Sequence, residues 1–442
     1  MANIYANSVD GNNADSGATW ALAKADLTGA AAIDAAGDTI WVSDNHAEST
    51  AGAVTLNFAG TLASPMRLLC GDDSAEPPTA LATTATVTTT AASNLIISAA
   101  GLYVYGISWV SSAMLILCGS TTDSTQTYES CKFSLTATGS SGVLYTASAN
   151  NNTYCIRLIN CTFKFGSATN SPITFRGNVQ VRGGSFDGAT ATPSTNGVFA
   201  LDTDRTAGSA VVDGFDFSVL GSTVNLVRGS SSKSSGKIIF RNCKLPASWS
   251  GSLMTATPAA PGQRYEMWNC DSTDTNYRIW IEEYSGSIKQ SSAIYKDSFA
   301  GGTKHSYIFA STANAEYPLI LLQGPEFFAD NATTGSSVTA TVEIVTDNVT
   351  LKDDECWLEV MYMGTSGVPL GTWITDCKAD VLATAANQTT STESWTTTGL
   401  GTPVKQKLSV TFTPQEAGYV IGRVMLAKAS TTVYVDPELK LS

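Results

Sequence analysis

The sequence predicts an all-β protein, a parallel β-helix followed by an antiparallel β-sandwich of jelly-roll type. Three observations carry this. A short motif recurs seven times at near-regular steps along the middle of the chain. Its apolar positions change parity at a Gly, Asn or Ser. The last stretch of the chain, from 337 to 441, reads as separate alternating strands divided by turn signals.

Residues 1–60 are expected to form an N-terminal cap with the first strands. Thr19 to Ala36 (TWALAKADLTGAAAIDAA) is rich in helix formers and poor in β-branched residues, so it predicts a helix started by Asp15 or Ser16 and stopped by Gly37. Asp38 to Ser43 (DTIWVS) then alternates as a strand. A solenoid needs such a cap, because its first coil would otherwise expose an apolar end and a free edge.

Residues 61–317 are expected to be the β-helix. The motif reads VYGISW at Val104–Trp109, YESCKF at Tyr128–Phe133 and LINCTF at Leu158–Phe163. It continues as VRGGSF at Val181–Phe186, VDGFDF at Val212–Phe217, FRNCKL at Phe240–Leu245 and MWNCDS at Met267–Ser272. The residue after the Gly, Asn or Ser falls at 107, 131, 161, 184, 215, 243 and 270, giving steps of 24, 30, 23, 31, 28 and 27. In a flat strand inward residues fall on every second position. Leu158 and Asn160 share one parity, and Cys161 and Phe163 the other. A continuous strand cannot switch without turning its core face to water, but a one-residue corner can. Gly and Asn tolerate the left-handed backbone such a corner needs. Gly106, Asn160, Gly183, Gly214, Asn242 and Asn269 fit, and Ser130 is the odd member. Stacked coils would then bury Ile107, Trp109, Phe133, Phe163, Phe186, Phe217 and Leu245.

Nine cysteines, an odd count, occur without a CxxC pair, which argues against a disulfide framework or a zinc site. Cys131, Cys161, Cys243 and Cys270 take one equivalent inward position, as small apolar residues do. The only histidines are His46 and His305.

The order SGATWALAK, AAGDTIWVSDNHAES, GTLASPMRLLCGDD between Ser16 and Asp73 resembles the N-terminal signature of right-handed parallel β-helix proteins. That family includes phage tailspikes, other virion appendages and polysaccharide lyases. The resemblance implies a right-handed coil and leaves chemistry open, because those members differ in activity.

Residues 318–442 are expected to be the sandwich. Its strands are SVTATVEIV (337–345), ECWLEVMYM (355–363), KLSVTFTP (407–414), AGYVIGRVMLA (417–427) and TTVYVDPELKL (431–441).

Composition narrows the function. Only 14% of the 442 residues are charged and the net charge is −13, so a phosphate backbone would be repelled and no nucleic-acid partner is expected. No apolar run is long enough to span a membrane, and the start MANIYANSVDGNN shows no secretory signal. No cofactor motif is present.

Sugar cleavage by hydrolysis needs two acids about 5–9 Å apart. Asp202 and Asp204, beside Arg205, could supply them, although LDTDRT also reads as a solvated turn. Glu282 and Glu283 point to opposite sides of any strand. Asp213, Asp216 and Asp271 read as isolated outward groups with no basic partner in phase and make no calcium site. His46 reads as a loop hydrogen-bonder or a general acid or base. Trp268, Tyr277, Trp280 and Tyr284 cluster closely enough to form a platform for a glycan or a partner.

These features point to a non-enzymatic structural protein of a phage virion: a capsid decoration, fibre or spike subunit. It would be made in the host cytoplasm and would lack metal and cofactor. Its expected partners are itself, as a homotrimer, other virion proteins such as capsid or tail, and a cell-surface glycan. The alternatives are a polysaccharide-degrading tailspike or lyase-type enzyme and a bacterial surface adhesion protein.

Overall fold

In the computed structural model the chain divides into two compact units, residues 1–265 with 270–274 and residues 266–269 with 275–442. The structure describes residues 2–119, 123–148, 153–192, 197–201, 209–228, 236–251, 253–254 and 263–272. Beyond these it describes 276–285, 288–299, 304–311, 317–318, 330–333, 335–346, 355–364, 404–413, 418–435 and 440–442.

The first unit is a three-sided parallel β-helix. One sheet stacks the strands Asn3–Ala6, Thr39–Ser43, Met66–Gly71, Gly101–Tyr105, Ser124–Glu129, Tyr154–Ile159, Asn178–Arg182, Ser209–Asp213 and Gly236–Arg241, all parallel. A second holds Ala47–Thr50, Thr86–Thr89, Ser108–Ser111, Lys132–Leu135, Thr162–Lys164 and Ser185–Phe186. The third runs from Val54–Asn57 through Leu95–Ser98, Met114–Ile116, Val143–Tyr145, Ile173–Phe175 and Phe199–Leu201 to Val227–Arg228.

The register reproduces the motif spacing. Val104 pairs with Tyr128, Tyr128 with Leu158, Leu158 with Val181, Val181 with Val212, Val212 with Phe240, and Lys244 with Asp271. The corners between first and second sheet turn on a left-handed residue: Gly106 (φ 75°), Ser130 (53°), Asn160 (51°), Gly183 (61°, followed by Gly184 at 90°), Gly214 (69°) and Asn242 (52°). Asn269 shares the conformation, at 50°. At Gly183 the demand is double. Besides its φ, a Cβ there would lie 2.3 Å from the Asn160 Oδ1 of the preceding coil, so any other residue would have to displace that amide.

All seven residues expected inside the coils are buried: Ile107, Trp109, Phe133, Phe163, Phe186, Phe217 and Leu245. Their rings form a continuous column. Phe133 stacks on Phe163 at 5.5 Å, Phe163 meets Phe186 at 6.1 Å, and Phe186 meets Phe217 at 6.1 Å. The four cysteines occupy one inward position, as expected. Cys161 Sγ lies 3.4 Å from the Tyr128 carbonyl and Cys243 Sγ 3.4 Å from the Val212 carbonyl, each one coil back. Burial pushes the Cys131 thiol up to about 12 and that of Cys161 well above its ordinary value. Such thiols are packing groups and not nucleophiles. The eight cysteines among the described residues form no disulfide with one another, and Cys377 lies outside the described residues.

Two expectations for the first unit are corrected. Coils begin at Asn3, not near residue 61, since Asn3–Ala6 already pairs in parallel with Thr39–Val42. The helix expected over Thr19–Ala36 reduces to a 3-10 turn at Trp20–Leu22 and one α-turn at Leu27–Ala31. Between them the backbone is pulled into the sheet. Lys24 bridges Ala6, with Lys24 N to Tyr5 O at 2.8 Å and Asn7 N to Lys24 O at 2.8 Å. Asp26 then starts a new helix, its carboxylate accepting from Gly29 N at 2.6 Å.

The second unit is antiparallel. Asn276–Ser285, Ile288–Phe299 and Lys304–Ser311 form a meander that continues through Thr431–Val435 to Val338–Thr346 and Val404–Phe412. A smaller sheet is centred on Gly418–Leu426, paired with Cys356–Gly364, Asp330–Ala332 and Tyr317–Pro318. Val338, Ala340, Val342 and Ile344 alternate inward on one sheet, and Leu358 and Val360 on the other. The strands expected from residue 337 onward are present over their described residues, while 414–417 and 436–439 lie outside the described residues. The antiparallel region nevertheless starts near residue 276, well before the expected boundary at 317/318. The parallel coil strands are short, whereas Asn276–Ser285 and Ile288–Phe299 run for 10 and 12 residues. No corner residue recurs to break them.

No helix among the described residues is long and apolar enough to cross a membrane.

Candidate functional site

Asp202 and Asp204, with Arg205, lie outside the described residues. Trp268 is half-buried and donates from Nε1 to Glu266 Oε2 at 2.7 Å. Tyr277, Trp280 and Tyr284 lie on the Asn276–Ser285 strand, opposite Tyr295, Ala293 and Lys289, and their side chains are outside the described residues. Glu282 and Glu283 sit on the same strand, opposite Ser291 and Gln290.

His46 lies in the link between two strands, as a hydrogen-bonding group, but it is buried there. It occupies the inward position after the first-sheet strand, equivalent to Ala85, Ile107, Cys131 and Cys161, because the next coil's amide bonds to the carbonyl of each. Its Nε2 lies 3.2 Å from Glu48 Oε2, and both side chains are buried. Glu48 Oε2 also accepts from Leu27 N at 2.9 Å, the first amide of the helical turn. The pair fastens that turn to the coil and does not open to solvent.

The outward acids are also not isolated. Asp213 is flanked in register by Arg182 and Arg241, and its Oδ1 accepts from Asn242 Nδ2 at 2.9 Å. Asp216 lies 3.4 Å from Lys244 Nζ. Burial pushes the Asp216 carboxyl up, but hydrogen bonds from Ser218 and the Lys244 charge outweigh it and hold it below the usual range. Parallel stacking supplies these partners from the next coil, whose strand Gly236–Arg241 pairs with Ser209–Asp213. Glu129 accepts from Tyr103 Oη at 2.8 Å, and Asp187 from Lys132 Nζ at 2.5 Å.

Two clefts on the outer wall were not singled out from sequence. The first, about 440 Å³, lies on the outer face of the first sheet and is lined by Thr127, Arg157, Ile159, Gln180 and Arg182. Register creates it. Thr127, Arg157 and Gln180 are successive cross-strand neighbours, and Ile159 pairs with Arg182. The motif steps already aligned these residues, which lie four and two positions before the marker residue of their coils. The second cleft, about 660 Å³, lies on the second sheet, with Lys132, Ser134, Lys164 and Thr190 in its wall. The Lys132 hydrogen bond holds the Asp187 carboxyl below its ordinary range. Thr190 Oγ1 accepts from Phe165 N at 2.8 Å and closes that loop onto the sheet.

Among the described residues, neither cleft has a carboxylate in its lining. The first cleft carries two guanidinium groups in its lining, planar forks that match an oxyanion. No cluster of three or more metal-ligating side chains occurs among the described residues.

No family model matches this chain, and no curated protein matches it. Among solved structures, a likeness is found to the enzymatically active domain of tailspike protein 4 of Bacteriophage CBA120. It has 8% sequence identity and a TM-score of 0.27, over 94% of this chain and 65% of that one. This chain therefore spans less than two thirds of that domain's length, and so slight a likeness carries no argument about activity. It likewise gives no support to a family signature between Ser16 and Asp73.

Proposed function

We propose that the protein is a non-enzymatic structural component of a bacteriophage virion, a capsid decoration, fibre or spike subunit that assembles as a homotrimer and binds other virion proteins. The observation that carries the non-enzymatic part is that no carboxylate lines either cleft among the described residues. A hydrolase of sugars needs two carboxylates converging on one cavity. On these coils Glu129, Asp187, Asp213 and Asp216 are each tied to a neighbour instead.

The structural role is supported by the architecture. Parallel coils with an unbroken aromatic column make a stiff scaffold whose outer faces accept varied residues without loss of the core. The edge of the first sheet at Asn3–Ala6 is closed by residues 17–24, which hydrogen-bond to Tyr5 and Asn7. A closed edge does not template strand pairing, which favours the C-terminal part for self-association in this reading. Trp268, Tyr277, Trp280 and Tyr284 are the proposed platform for a partner or a glycan.

Three measurements test this. Mass spectrometry and imaging of purified particles should find the chain on the virion. Mass in solution should correspond to three copies, and a stable monomer would refute the assembly. A panel of acidic and neutral polysaccharides should remain uncut. Cleavage abolished by Asp202→Asn or Asp204→Asn would establish the enzyme alternative.

A further inference from the structure

We propose that the cleft on the outer face of the first sheet binds an acidic polysaccharide, with Arg157 and Arg182 holding its carboxylates. The inference rests on the cleft alone and does not depend on the virion role.

The two arginines are exposed on adjacent strands and offset diagonally by two residues. That arrangement spaces their backbones about 7–8 Å apart. Neither guanidinium has a hydrogen-bond or ion-pair partner among the described residues. This is unusual on a chain of net charge −13, where carboxylates are abundant. The nearest candidates are engaged elsewhere, Glu129 by Tyr103 and Asp213 by Asn242. The surrounding coils are also locally basic. Residues 124–191 carry Lys132, Arg157, Lys164, Arg176 and Arg182 against only Glu129 and Asp187.

The lining identifies the ligand class. A guanidinium is a planar fork that matches a carboxylate with two parallel hydrogen bonds. The Gln180 amide and the Thr127 hydroxyl can each donate and accept, as a sugar hydroxyl requires. Ile159 offers an apolar floor between them. The same two outward columns continue into Tyr103 and Tyr105 on the Gly101–Tyr105 strand. Each coil adds about 4.8 Å along the stack, so an extended polymer lying along the axis meets one coil after another. A nucleic acid fits less well. Its phosphates are more closely spaced than one carboxylate per disaccharide, so more of them would meet Asp213, the register neighbour of Arg182, and Glu129, the register neighbour of Ile159, at a cost in repulsion.

The experiment uses the full chain and titration calorimetry at low salt. Hyaluronan, with one carboxylate per disaccharide, is the probe. Dextran, a single-stranded oligonucleotide and inorganic phosphate are the comparators. Hyaluronan should bind and dextran should not. The double variant R157A/R182A should lose at least about tenfold in affinity, as expected for charge-assisted pairs, with an unchanged melting temperature. R157K/R182K, which keeps charge and removes the fork, should fall between the two and guards against a folding defect. K132A/K164A, in the other cleft, should bind as the parent does. Absence of hyaluronan binding, equal binding of dextran, or equal affinity in R157A/R182A would overturn the proposal. So would tighter, arginine-dependent binding of the oligonucleotide or of phosphate. Particle location is read separately, so failure here leaves the virion reading intact, and the reverse holds too.

Discussion

After the first-sheet strand, the middle coils place Ile107, Cys131, Cys161, Phe215 and Cys243 inward, and the first coil places His46. Two residues further, the middle coils carry Trp109, Phe133, Phe163 and Phe186 in one cross-strand row, which continues back through Val87 to Glu48. The register is the same and the chemistry is opposite. In the middle, each ring is covered above and below by another coil, so dispersion and burial act on both faces. At the first coil the interior meets a turn of helix whose terminal amides need acceptors, and Glu48 supplies one. The difference shows that the end of a solenoid interior is specified by its cap as much as by its neighbours.

Removing a ring from the middle should have the largest effect. Phe163 is fully buried and its ring lies 5.5 Å from Phe133 and 5.9 Å from Phe215. Phe163→Ala should cost about 3–5 kcal/mol, read as a lower urea midpoint in the transition of the first unit. A loss below about 1 kcal/mol, under the range for a buried aromatic, would mean that the column is not a continuous core.

The end of the coil stack should respond less, and with a different signature. Glu48→Ala leaves His46 Nε2 and Leu27 N–H buried without their acceptor, at about 1–3 kcal/mol for each orphaned group. Converting the pair to middle-coil chemistry, His46→Ile with Glu48→Val, removes one orphan. The double variant should therefore be more stable than Glu48→Ala alone. If the two substitutions add instead, the pair is not a unit.

The contrast also explains what was legible in the sequence. Where the corner turns on a left-handed residue, the parity switch at Gly106, Asn160, Gly183 and Asn242 marks both the strands and the coil spacing. Where the link is longer, it does not. Asp44 to His46 separate the strands of one early coil, and residues 72–85 separate those of the next. No parity switch marks those turns, so the coil strands before residue 61 read as part of the cap. The burial of His46 was not legible, because polar side chains signal exposure unless their partners are known. The alanine-rich Thr19–Ala36 segment reads as helix because propensity is a weak prior, which backbone pairing to Tyr5 and Asn7 overrides. The arginine cleft needs two facts at once, the motif step and the outward parity. Each arginine alone looks like ordinary surface charge, and only stacking the coils brings Arg157 beside Arg182.

The smallest predicted effect lies in the cap, which the middle coils lack, and it has a pH signature. Asp34 is half-exposed, and burial is the chief cause that raises its carboxyl from 3.8 to about 6. A hydrogen bond from Ala59 N at 3.1 Å works against that rise, and the nearby Asp38 carboxylate adds to it. Asp38 itself is committed, accepting from Ala2 N at 2.6 Å and Ala35 N at 3.1 Å. Between about pH 4 and pH 6 the folded chain keeps the Asp34 proton and the unfolded chain has released it. Stability therefore falls as pH rises through that window and is level above it. The full displacement would be worth about 3 kcal/mol, and solvent screening at a half-exposed site reduces this to about 1 kcal/mol. Asp34→Asn keeps an acceptor for Ala59 and carries no charge. It should stabilise the protein by about 1 kcal/mol at pH 7, with the gain fading to nothing below pH 4, whereas Phe163→Ala should cost the same at both. Melting curves of the two variants across pH 3.5–7.5 separate a cap governed by charge from a core governed by packing. A pH-independent effect at Asp34 would remove that distinction.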